Sequence, residues 1–471
     1  EGLHGRIIAG IPIKSFEEAK QEFKLLEIET MLLAMSNASG KTRQRISDLL
    51  IEHRFNLKTI PSISTLISGM SDIAEFQDIN IEDLLGREPV KPDPKLMKKS
   101  LTGKTVLVTG AGGSIGSELC RQIVRWEPLN LLILDVSEFS IYKLFEELEP
   151  HYLKSTSNVV PLIGSVQDTQ FIDDVMNLFH IDTIYHAAAY KHVPLMEMNI
   201  MQCIANNVLG THNVAKQAIE AKVTDFILVS TDKAVNPKNF MGASKRFAEL
   251  ICQFLTKKQS NTRFTIVRFG NVLGSSGSVV PLFSRQIERG GPITLTHRDI
   301  TRYFMTIPEA AQLVIQAGAI SSGGKIFVLD MGEPIKIIEL AKKMITLSGF
   351  TPTLDEEQTA HQNQIQIKII GLRPGEKLFE ELSYSSKMKK TVHLRIMQTT
   401  EPTMTSDDLQ VLVSNIRTAV NNRNFRKVFQ IISSVSHEIS ELEDSVDLFL
   451  EQEKRRKKIP RNNTNSTTFL K

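Results

Sequence analysis

The sequence is poor in cysteine and has no long apolar run. Its 471 residues include three cysteines, Cys120, Cys203 and Cys252, which are odd in number and widely separated. Cysteines so placed match neither a disulfide framework nor a metal-binding pattern, so we expect a reducing compartment and no metal site. An apolar stretch of about 18 residues, which a membrane-spanning helix requires, does not occur, nor does a signal peptide. We therefore expect this chain itself to be soluble.

A strong charge of one sign is also lacking. The formal net charge at pH 7 is +3, with 41% apolar and 23% charged residues. A dedicated nucleic-acid binder carries a strong basic stripe, so we expect no nucleic-acid partner. The basic run at 454–458 (KRRKK) lies in a polar tail, and it predicts a solvated segment or, at most, a contact with anionic lipid. The length predicts two or three domains.

From residue 103 onward, apolar stretches alternate with helical stretches. Helices are expected at Ser117–Arg125 and Asn206–Ala221. Strands are expected at residues 105–110, 130–135, 158–164, 183–188, 225–230 and 264–269. Strands that are apolar on both faces and joined by helices indicate a parallel sheet covered on two sides. The fold class is therefore α/β, with a doubly wound parallel sheet of the Rossmann type.

The first of these strands runs into a glycine-rich turn. Gly110, Gly113 and Gly116 lie three apart where the strand gives way to a helix, and Ser114 and Ile115 lie between the last two. Glycine is needed there because a β-carbon would block the turn, the ligand pyrophosphate or the helix–strand contact, while the helix N-terminus attracts phosphate. The alternative is a glycine-rich turn without a ligand.

An acidic residue follows at the distance that a dinucleotide site requires. Asp135 lies 19 positions beyond Gly116, at the end of the second strand, where a carboxylate can hold ribose hydroxyls. No arginine stands beside Asp135 in the segment DVSEFS. The pattern therefore predicts NAD as the cofactor and disfavours NADP.

Six motifs carry a resemblance to a known family. They are TGAGGSIG (109–116), HAAAYKHVPLME (186–197), STDKAVNP (230–237), GASK (242–245), RFGNVLGSSGSVVP (268–281) and GLRPGEKLFEEL (371–382). In this order they resemble the extended short-chain dehydrogenase/reductase superfamily. Within it they are similar to the capsular and O-antigen polysaccharide branch, the membrane-associated UDP-N-acetylglucosamine 4,6-dehydratases. The resemblance covers about residues 80–400.

The resemblance implies a domain organisation. Residues 1–90 would form a partial Rossmann-like domain, containing the apolar run Thr30–Ser36 and a helix-like stretch Lys41–His53, and 91–100 would be a linker. The NAD-binding catalytic domain would span 101–400, with a nucleotide-sugar lobe mainly at 274–300 and 330–400. A helical segment at 401–453 and a disordered basic tail at 454–471 would follow.

Location and partners also follow from the resemblance. Members of the branch carry transmembrane helices at the N-terminus, and this chain would begin after them. We therefore expect the cytoplasmic face of the bacterial inner membrane, with the membrane reached only through those helices. A UDP-sugar substrate and a homo-oligomer are expected.

The segment after the fifth strand is the candidate catalytic centre. Thr231, Asp232 and Lys233 follow that strand, and Met241 and Lys245 lie four apart on one face of the next helix. By the resemblance, Lys233 is the base at C5 of the sugar and Asp232 the acid at C6. Lys245 would hold the nicotinamide ribose.

These roles require Lys233 to lose its proton and Asp232 to hold one. An ordinary lysine is protonated at neutral pH, so a lowered pKa is expected for Lys233. Met241 stands where most members of the superfamily have tyrosine, and a thioether cannot relay a proton. Thr231, a water molecule and Lys191 all remain candidates to accept the C4 hydroxyl proton. The alternative is a surface Asp-Lys pair with Met241 in the core.

Other site residues are implied by the same motifs. Ala187 and Ala188 are expected beside the cofactor. Arg302 and Arg373 would grip the UDP phosphates because guanidinium binds phosphate oxygens bidentately. The residues expected at the substrate are Lys191, Asn271, Ser278, Val279, Thr294, Arg302, Arg373 and Glu376.

The motifs predict one reaction and leave two alternatives. The predicted reaction is the 4,6-dehydration of UDP-N-acetylglucosamine to a UDP-4-keto-6-deoxy-N-acetylhexosamine. A UDP-sugar 4-epimerase shares the fold and the C4 oxidation, but it uses the tyrosine that Met241 replaces. A non-catalytic NAD- or nucleotide-sugar-binding protein is the third reading, and the presence of both Asp232 and Lys233 argues against it.

Overall fold

A computed structural model gives the fold of most of the chain. It describes residues 3–25, 28, 30–33, 42, 45–46, 49, 56–59, 77–78, 90–153, 155–259, 261–354, 363–384, 388–404, 406–436, 439 and 447–452. The helix-like stretch 41–53 is described only at four positions. Residues 79–89, at the end of the predicted N-terminal domain, and the predicted basic tail 454–471 lie outside the described residues.

The described strands and helices follow the alternation seen in the sequence. The strands are β1 Ile7–Ile8, β2 Ile11–Pro12, β3 Thr30–Leu33, β4 Asn56–Thr59, β5 Gln77–Asp78, β6 Thr105–Thr109, β7 Asn130–Asp135, β8 Asn158–Ile163, β9 Thr183–His186, β10 Asp225–Val229, β11 Arg263–Arg268, β12 Asn271–Val272, β13 Ile293–Leu295, β14 Thr301–Arg302, β15 Phe304–Met305, β16 Lys325–Leu329, β17 Ile335–Lys336, β18 Thr351–Thr353, β19 Gln364–Ile369, β20 Lys389–Lys390 and β21 Ile396–Thr399. The α-helices are α1 Phe16–Leu25, α2 Pro94–Leu101, α3 Ser114–Val124, α4 Glu138–Tyr152, α5 Thr169–Phe179, α6 Val193–Met198, α7 Ile200–Ile204, α8 Thr211–Glu220, α9 Phe240–Lys258, α10 Val279–Glu288, α11 Ile307–Ile320, α12 Ile337–Leu347, α13 Ser406–Asn421 and α14 Phe425–Val435.

One large sheet organises the larger of two compact units, which comprises Pro89–Ser278, Asp299–Ile335 and Gly371–Lys471. Its strand order is β20-β21-β16-β11-β10-β9-β6-β7-β8. The strands from β16 to β8 run parallel, and β21 and β20 extend the edge antiparallel. The chain order reverses between β6 and β9, the point at which such sheets bind ligands. The predicted Rossmann-type fold is confirmed.

Helices cover both faces of this sheet because its strands are apolar on both sides. Leu107, Leu132 and Phe226 point to the face covered by α5, α7, α8, α9, α13 and α14. Val106 and Ile133 point to the face covered by α2, α3, α4 and α11. Side chains alternate between the faces along each strand, so each strand contributes to both cores. The candidate site residues are thereby held at the carboxyl edge of a rigid sheet.

The predicted linker at 91–100 is wrong in its last part. Asp93 accepts the Lys95 amide at 2.8 Å and caps helix α2, whose first residue is Pro94. Met97 and Leu101 are buried against the sheet, which gives the helix a reason to form. Because Met97 and Leu101 lie four residues apart, both face the core, and the lysine-rich segment packs on the sheet as helix α2.

Other element boundaries also differ from expectation. Helix α3 begins at Ser114, three residues before the predicted start. The predicted helix 206–221 begins as a π-helical turn, Ala205–Gly210, and continues as α8. The C-terminal helices α13 and α14 pack on the same core as α9.

The smaller unit is discontinuous and comprises Glu1–Glu88, Val279–Arg298 and Lys336–Ile370. Within it, β3 pairs parallel with β4, and β5 pairs antiparallel with β4. A second small sheet has the order β13-β19-β18, with helices α10 and α12 packed on each other and on β13. The parallel β3–β4 pair agrees with the α/β pattern expected for the N-terminal region.

Candidate active site

The glycine-rich turn is built for close backbone contacts. Gly110 has φ of +69°, and a β-carbon there would lie 2.7 Å from the backbone of Ala187 and Ala188. A β-carbon on Gly116 would lie 2.0 Å from the Gly110 carbonyl oxygen. The Ala187 amide donates to the Thr109 carbonyl at 3.0 Å, which joins the ends of β9 and β6. Only glycine is sterically compatible with positions 110 and 116.

The turn leaves a helix N-terminus open beside an acidic side chain. Gly113 precedes α3 and provides no side-chain cap, so the first amides of the helix are available to an anion. Asp135 at the end of β7 accepts the Gly112 amide at 3.0 Å and the Ser137 amide at 2.9 Å. These bonds fix its carboxylate beside the turn. The arrangement fits a dinucleotide, with pyrophosphate at α3 and a ribose at Asp135.

Ser114 and Ile115 occupy the first turn of α3. The Ser114 hydroxyl accepts the Ser276 amide at 3.2 Å, so the loop after β12 lies against the glycine-rich turn. Ile115 is half-buried and packs on the core. Both residues are therefore placed at the predicted nucleotide site.

Thr231, Asp232 and Lys233 lie together at the carboxyl end of β10. The Thr231 hydroxyl donates to Asp232 Oδ1 at 2.8 Å, and Lys233 Nζ donates to the same oxygen at 3.0 Å. Asn271 Oδ1 accepts a second bond from Lys233 Nζ at 3.1 Å. The Asp232 side chain is fully buried, and that of Lys233 is 20% exposed. The predicted acid and base are thus adjacent and one of them reaches solvent.

Glu380 completes this cluster, and the sequence reasoning missed it. Its Oε1 lies 3.6 Å from Lys233 Nζ and 3.7 Å from Arg302 Nε, and its side chain is 3% exposed. One carboxylate oxygen on each acid, Asp232 Oδ2 and Glu380 Oε2, is buried without a hydrogen-bond partner among the described residues. Two carboxylates and two cations therefore form one buried network.

The pKa of Lys233 departs from expectation. Burial works to lower its pKa, but the carboxylates of Asp232 and Glu380 outweigh burial and the nearby Arg302, and they hold the pKa above its ordinary value. The expected lowered pKa of Lys233 is therefore wrong. Its amine is paired with two acids, Asp232 and Glu380.

Lys245 has the lowered pKa instead. It lies in α9, is buried, and donates from Nζ to the Val229 carbonyl at 2.7 Å. Burial lowers its pKa to about 8, and Glu249 opposes that shift. The helix is positioned by Asn239, whose side chain accepts the Gly242 amide at 2.8 Å. The cap fixes Lys245 against the end of β10.

Met241 is packed into the core at the start of helix α9. It is 2% exposed and contacts a small cluster formed with Met196, Cys203 and Val193. Its thioether has apolar and thiol neighbours. The position that carries tyrosine in most of the superfamily is therefore filled by a packing residue.

The two candidate phosphate-binding arginines have different surroundings. Arg302 is buried, and its guanidinium donates to the carbonyls of Thr301, Lys377 and Leu378 at 2.7–3.3 Å. Most of its donors are used by the protein in this conformation. Arg373 is exposed in the loop before Glu376. Phosphate binding stays a prediction for both arginines, and it would require Arg302 to release a carbonyl.

Two hydrogen bonds, one from a side chain of the segment and one to its backbone, join segment 371–382 to the loop between β10 and α9. Lys377 Nζ donates to the Val235 carbonyl at 2.9 Å, and Asn239 Nδ2 donates to the Gly375 carbonyl at 2.8 Å. Glu376 lies 3.6 Å from Arg302 Nη2. The motif GLRPGEKLFEEL thus supplies both Glu376 and Glu380, and its glutamate pair, Glu380-Glu381, was the available signal for Glu380.

The remaining predicted residues are placed less directly. Lys191 is exposed after β9, and Ser278 has a buried hydroxyl without a hydrogen-bond partner among the described residues. Val279 and Thr294 belong to the smaller unit, where Thr294 Oγ1 accepts Gln286 Nε2 at 2.8 Å. Their roles at the substrate remain predictions.

A doubly wound sheet with a glycine-rich turn at its switch point defines a protein of the Rossmann-type α/β class. A family model described as "Polysaccharide biosynthesis protein" matches residues 106–401. The chain belongs to this polysaccharide biosynthesis protein family.

Curated relatives carry related names. The chain is 48% identical over 366 residues to the capsular polysaccharide biosynthesis protein CapD of Staphylococcus aureus. This match covers 78% of the present chain and 59% of CapD. It is 45% identical to the probable polysaccharide biosynthesis protein EpsC of Bacillus subtilis, over 80% of this chain and 62% of that one. The chain thus spans about three fifths of the length of these two relatives. It is also 34% identical to the UDP-glucose 4-epimerase of Rickettsia massiliae, over 62% of this chain and 81% of the epimerase.

Solved structures share the fold. The structure of Pen from Bacillus thuringiensis matches with a TM-score of 0.56 and 30% identity, over 67% of this chain and 98% of that one. DesIV of Streptomyces venezuelae, a dTDP-glucose 4,6-dehydratase whose structure holds NAD, matches with a TM-score of 0.50 and 20% identity, over 59% of this chain and 88% of that one. At that identity the DesIV match shows the fold alone.

None of the helices in the described part of the chain has the length and apolar character of a membrane span.

Proposed function

We propose that this protein is an NAD-dependent UDP-sugar 4,6-dehydratase. Its substrate would be UDP-N-acetylglucosamine, and its products a UDP-4-keto-6-deoxy-N-acetylhexosamine and water, for polysaccharide biosynthesis. The observation that carries the proposal is the Asp232–Lys233 contact of 3.0 Å at the carboxyl end of β10. Such a pair supplies one proton acceptor and one proton donor to the same sugar. Membership of the polysaccharide biosynthesis family supports the substrate class.

The proposed dehydration needs two proton transfers. Once C4 is a ketone, the C5 hydrogen is acidic, and the Lys233 amine removes it. The carbon–hydrogen electron pair then expels the C6 hydroxyl group, which takes the proton of Asp232 and leaves as water. These transfers would leave Lys233 as an ammonium ion and Asp232 as a carboxylate. Moving one proton from Lys233 to Asp232 restores the neutral pair that the reaction requires.

The nucleotide site suits NAD. Gly110, Gly113 and Gly116 would admit its pyrophosphate to the start of α3, and the Asp135 carboxylate would accept the ribose hydroxyls and repel the 2′-phosphate of NADP. When bound, NAD supplies the hydride acceptor for C4 and the hydride returned to C6. Lys245 would bind the nicotinamide ribose beside Thr231.

The UDP-sugar would bind on the other side of the pair. Asn271 already contacts Lys233, and the exposed Arg373 and its neighbour Glu376 lie in the segment tied to the catalytic turn. Guanidinium binds diphosphate oxygens with high charge complementarity. We further propose the cytoplasmic face of the bacterial inner membrane as the location and a homo-oligomer as the assembly.

The test is the variant Lys233→Ala with UDP-N-acetylglucosamine and NAD. Formation of the 4-keto-6-deoxy product, followed by NMR, should fall about 1000-fold, because Lys233 is the amine paired with Asp232 in the described part of the chain. Acid–base catalysis usually contributes about 10²–10⁴. NAD affinity, measured by calorimetry, should stay unchanged. The matched control is Lys238→Ala, which removes an exposed lysine from the same loop. Near wild-type product formation by Lys233→Ala would contradict the assignment.

A 4-epimerase is the second candidate, favoured by the 34% identity to the rickettsial UDP-glucose 4-epimerase. Epimerisation would leave the C6 hydroxyl in place and invert only C4. The buried packing of Met241 argues against it, because that position would have to relay the C4 hydroxyl proton. A product that retains oxygen at C6 would establish the epimerase instead.

A further inference from the structure

Glu380 is a buried carboxylate to which the dehydration mechanism gives no role. It lies in the irregular segment before Leu382, and its side chain is 3% exposed. Its Oε2 has no hydrogen-bond partner among the described residues. A buried carboxylate with an unpaired oxygen is unfavourable for folding, so its placement calls for another explanation.

The position of Glu380 is defined by two cations. Its Oε1 lies between Lys233 Nζ at 3.6 Å and Arg302 Nε at 3.7 Å. Arg302 is itself held by the carbonyls of Thr301, Lys377 and Leu378. Arg302 therefore fixes Glu380 in front of the catalytic lysine.

The charges that face Lys233 come from several elements. Asp232 precedes it in the same turn, Glu380 and Arg302 face it from segment 371–382 and from β14, and Asn271 contacts it from β12. These groups carry two positive and two negative charges, so the cluster is balanced. Without the Glu380 carboxylate, Asp232 would be the one acid left facing Lys233 among the described residues, and the ammonium form of Lys233 would be less favoured. Arg302 would keep its pairing with Glu376 at 3.6 Å.

We propose that Glu380 is a positioning residue that strengthens Lys233 as the C5 base. The inference rests on the proposed dehydratase function. In the C5 step, the Lys233 amine takes the C5 proton and becomes an ammonium ion. The Glu380 carboxylate stabilises the positive charge that develops on Nζ, and it keeps Nζ in place between Asp232 and Asn271. Glu380 itself keeps its charge, so proton transfer remains balanced between Lys233 and Asp232.

The raised pKa of Lys233 agrees with this geometry, because the Glu380 charge is one of its causes. A more basic amine is a stronger acceptor for a carbon-bound proton, although less of it is deprotonated at a given pH. Removing Glu380 should therefore have two opposite effects on catalysis. More of Lys233 would be neutral at low pH, but each neutral amine would be a weaker base.

The main experiment compares Glu380→Gln with the wild type over the pH range of activity. The limb of kcat/KM on which activity rises with pH should move to lower pH by roughly one unit, the usual effect of an opposite charge at this distance. The maximal kcat should fall by about tenfold, and KM for the UDP-sugar should change little. A merely structural role would lower kcat without moving the limb.

The matched control is Glu381→Gln, which removes the same charge one residue along the chain. Glu381 is 52% exposed and pairs with Lys377 at 3.2 Å, away from Lys233. Its pH profile should coincide with that of the wild type. Glu380→Asp keeps the carboxylate but places it farther from Lys233, because the side chain is one methylene shorter. The rising limb of its kcat/KM profile should therefore also move to lower pH, but by a smaller amount. That variant decides the question if Glu380→Gln does not fold.

A second measurement separates this inference from the proposed function. Acylation of Lys233 by acetic anhydride, followed by mass spectrometry against pH, reports the deprotonation of Nζ without substrate. The midpoint should move to lower pH in Glu380→Gln and stay in place in Glu381→Gln. An unmoved midpoint and an unmoved limb would overturn the role of Glu380. A wild type that makes no 4-keto-6-deoxy product would refute the dehydratase, and the acylation midpoint would still decide the role of Glu380.

Discussion

At the residue scale, Gly116 makes the tightest backbone contact of the nucleotide-binding turn. Gly116→Ala would place a methyl group 2.0 Å from the Gly110 carbonyl oxygen, so the turn must open. We expect loss of NAD binding by calorimetry and a lower melting temperature. The control is Gly103→Ala, at φ of +67° with no atom within 4 Å of the added carbon. It should cost about 1–2 kcal/mol of stability through backbone strain and leave NAD binding intact. Normal NAD affinity in Gly116→Ala would show that the turn does not hold the pyrophosphate.

The site was predictable residue by residue where side chains follow regular elements. Asp232 and Lys233 come shortly after the parallel strand β10, so their position at the carboxyl edge of the sheet follows from that strand. Glu380 lies in a segment without regular structure, where the sequence gives no rule for side-chain direction. Phosphate binding by Arg302 stays a prediction. The sequence does not predict that its guanidinium also donates to the backbone carbonyls of Lys377 and Leu378, because those carbonyls belong to the same segment without regular structure.

At the element scale, helix α9 is joined to the sheet by buried charges. Glu249 of α9 is fully buried and accepts from Arg268 at 2.6 Å, from Arg246 at 3.0 Å and from the Ser230 hydroxyl at 2.7 Å. Arg268 also donates to Glu401 at 2.9 Å. Burial raises the pKa of Glu249, but the two arginines and Ser230 outweigh burial and hold it below its ordinary value. The network therefore connects β10, β11, α9 and the segment after β21.

Glu249→Gln tests the contribution of this network to stability. Because the pKa of Glu249 is lowered on folding, its pairing stabilises the protein above the ordinary glutamate pKa of about 4.3 and is lost as the pH falls below it. At pH 7 we expect a loss of about 3–5 kcal/mol in the free energy of unfolding, measured in urea, because buried Arg246 would lose its carboxylate and buried Arg268 one of its two. The difference in unfolding free energy between Glu249→Gln and the wild type should shrink as the pH falls below about 4, because Glu249 of the wild type is then progressively protonated.

Glu220→Gln is the matched control for that measurement. Glu220 pairs with Lys216 at 3.4 Å on an exposed helix face, so its removal should change stability by less than about 0.5 kcal/mol at any pH. A pH-independent loss in Glu249→Gln would show that packing, not charge pairing, holds α9 to the sheet.

The sheet itself was predicted from the sequence, and the helix boundaries were not. Strands such as β7 match the prediction because a run that is apolar on both faces has one favourable place, the centre of a covered sheet. Helix α3 starts at Ser114 because the glycine turn ends there, although apolar periodicity becomes visible only later. Helix α2 was missed because its two buried residues are outnumbered by lysines.

At the scale of the whole molecule, the chain enters and leaves the smaller unit several times. The predicted nucleotide-sugar lobe at 274–300 and 330–400 corresponds in part to 279–298 and 336–370, which belong with residues 1–88. Sequence order predicts contiguous domains, whereas contacts between distant segments decide which residues form one unit. We retain the divisions at residues 90, 400 and 453 as a proposal about chain order, whereas Pro94–Leu101 packs on the sheet of the larger unit.

Ligand-dependent melting of the whole chain should distinguish the two nicotinamide dinucleotides. A ligand that binds only the folded protein stabilises it by about 2.7 kcal/mol at one hundred times its dissociation constant. NAD should therefore raise the melting transition of the larger unit by several degrees in calorimetry, while NADP at the same concentration should raise it far less. The reason is the Asp135 carboxylate, which is fixed by two backbone amides and would repel a 2′-phosphate. Asp135→Asn removes that repulsion and should bring the two shifts together. Equal shifts with NAD and NADP in the wild type would show that Asp135 does not select the cofactor.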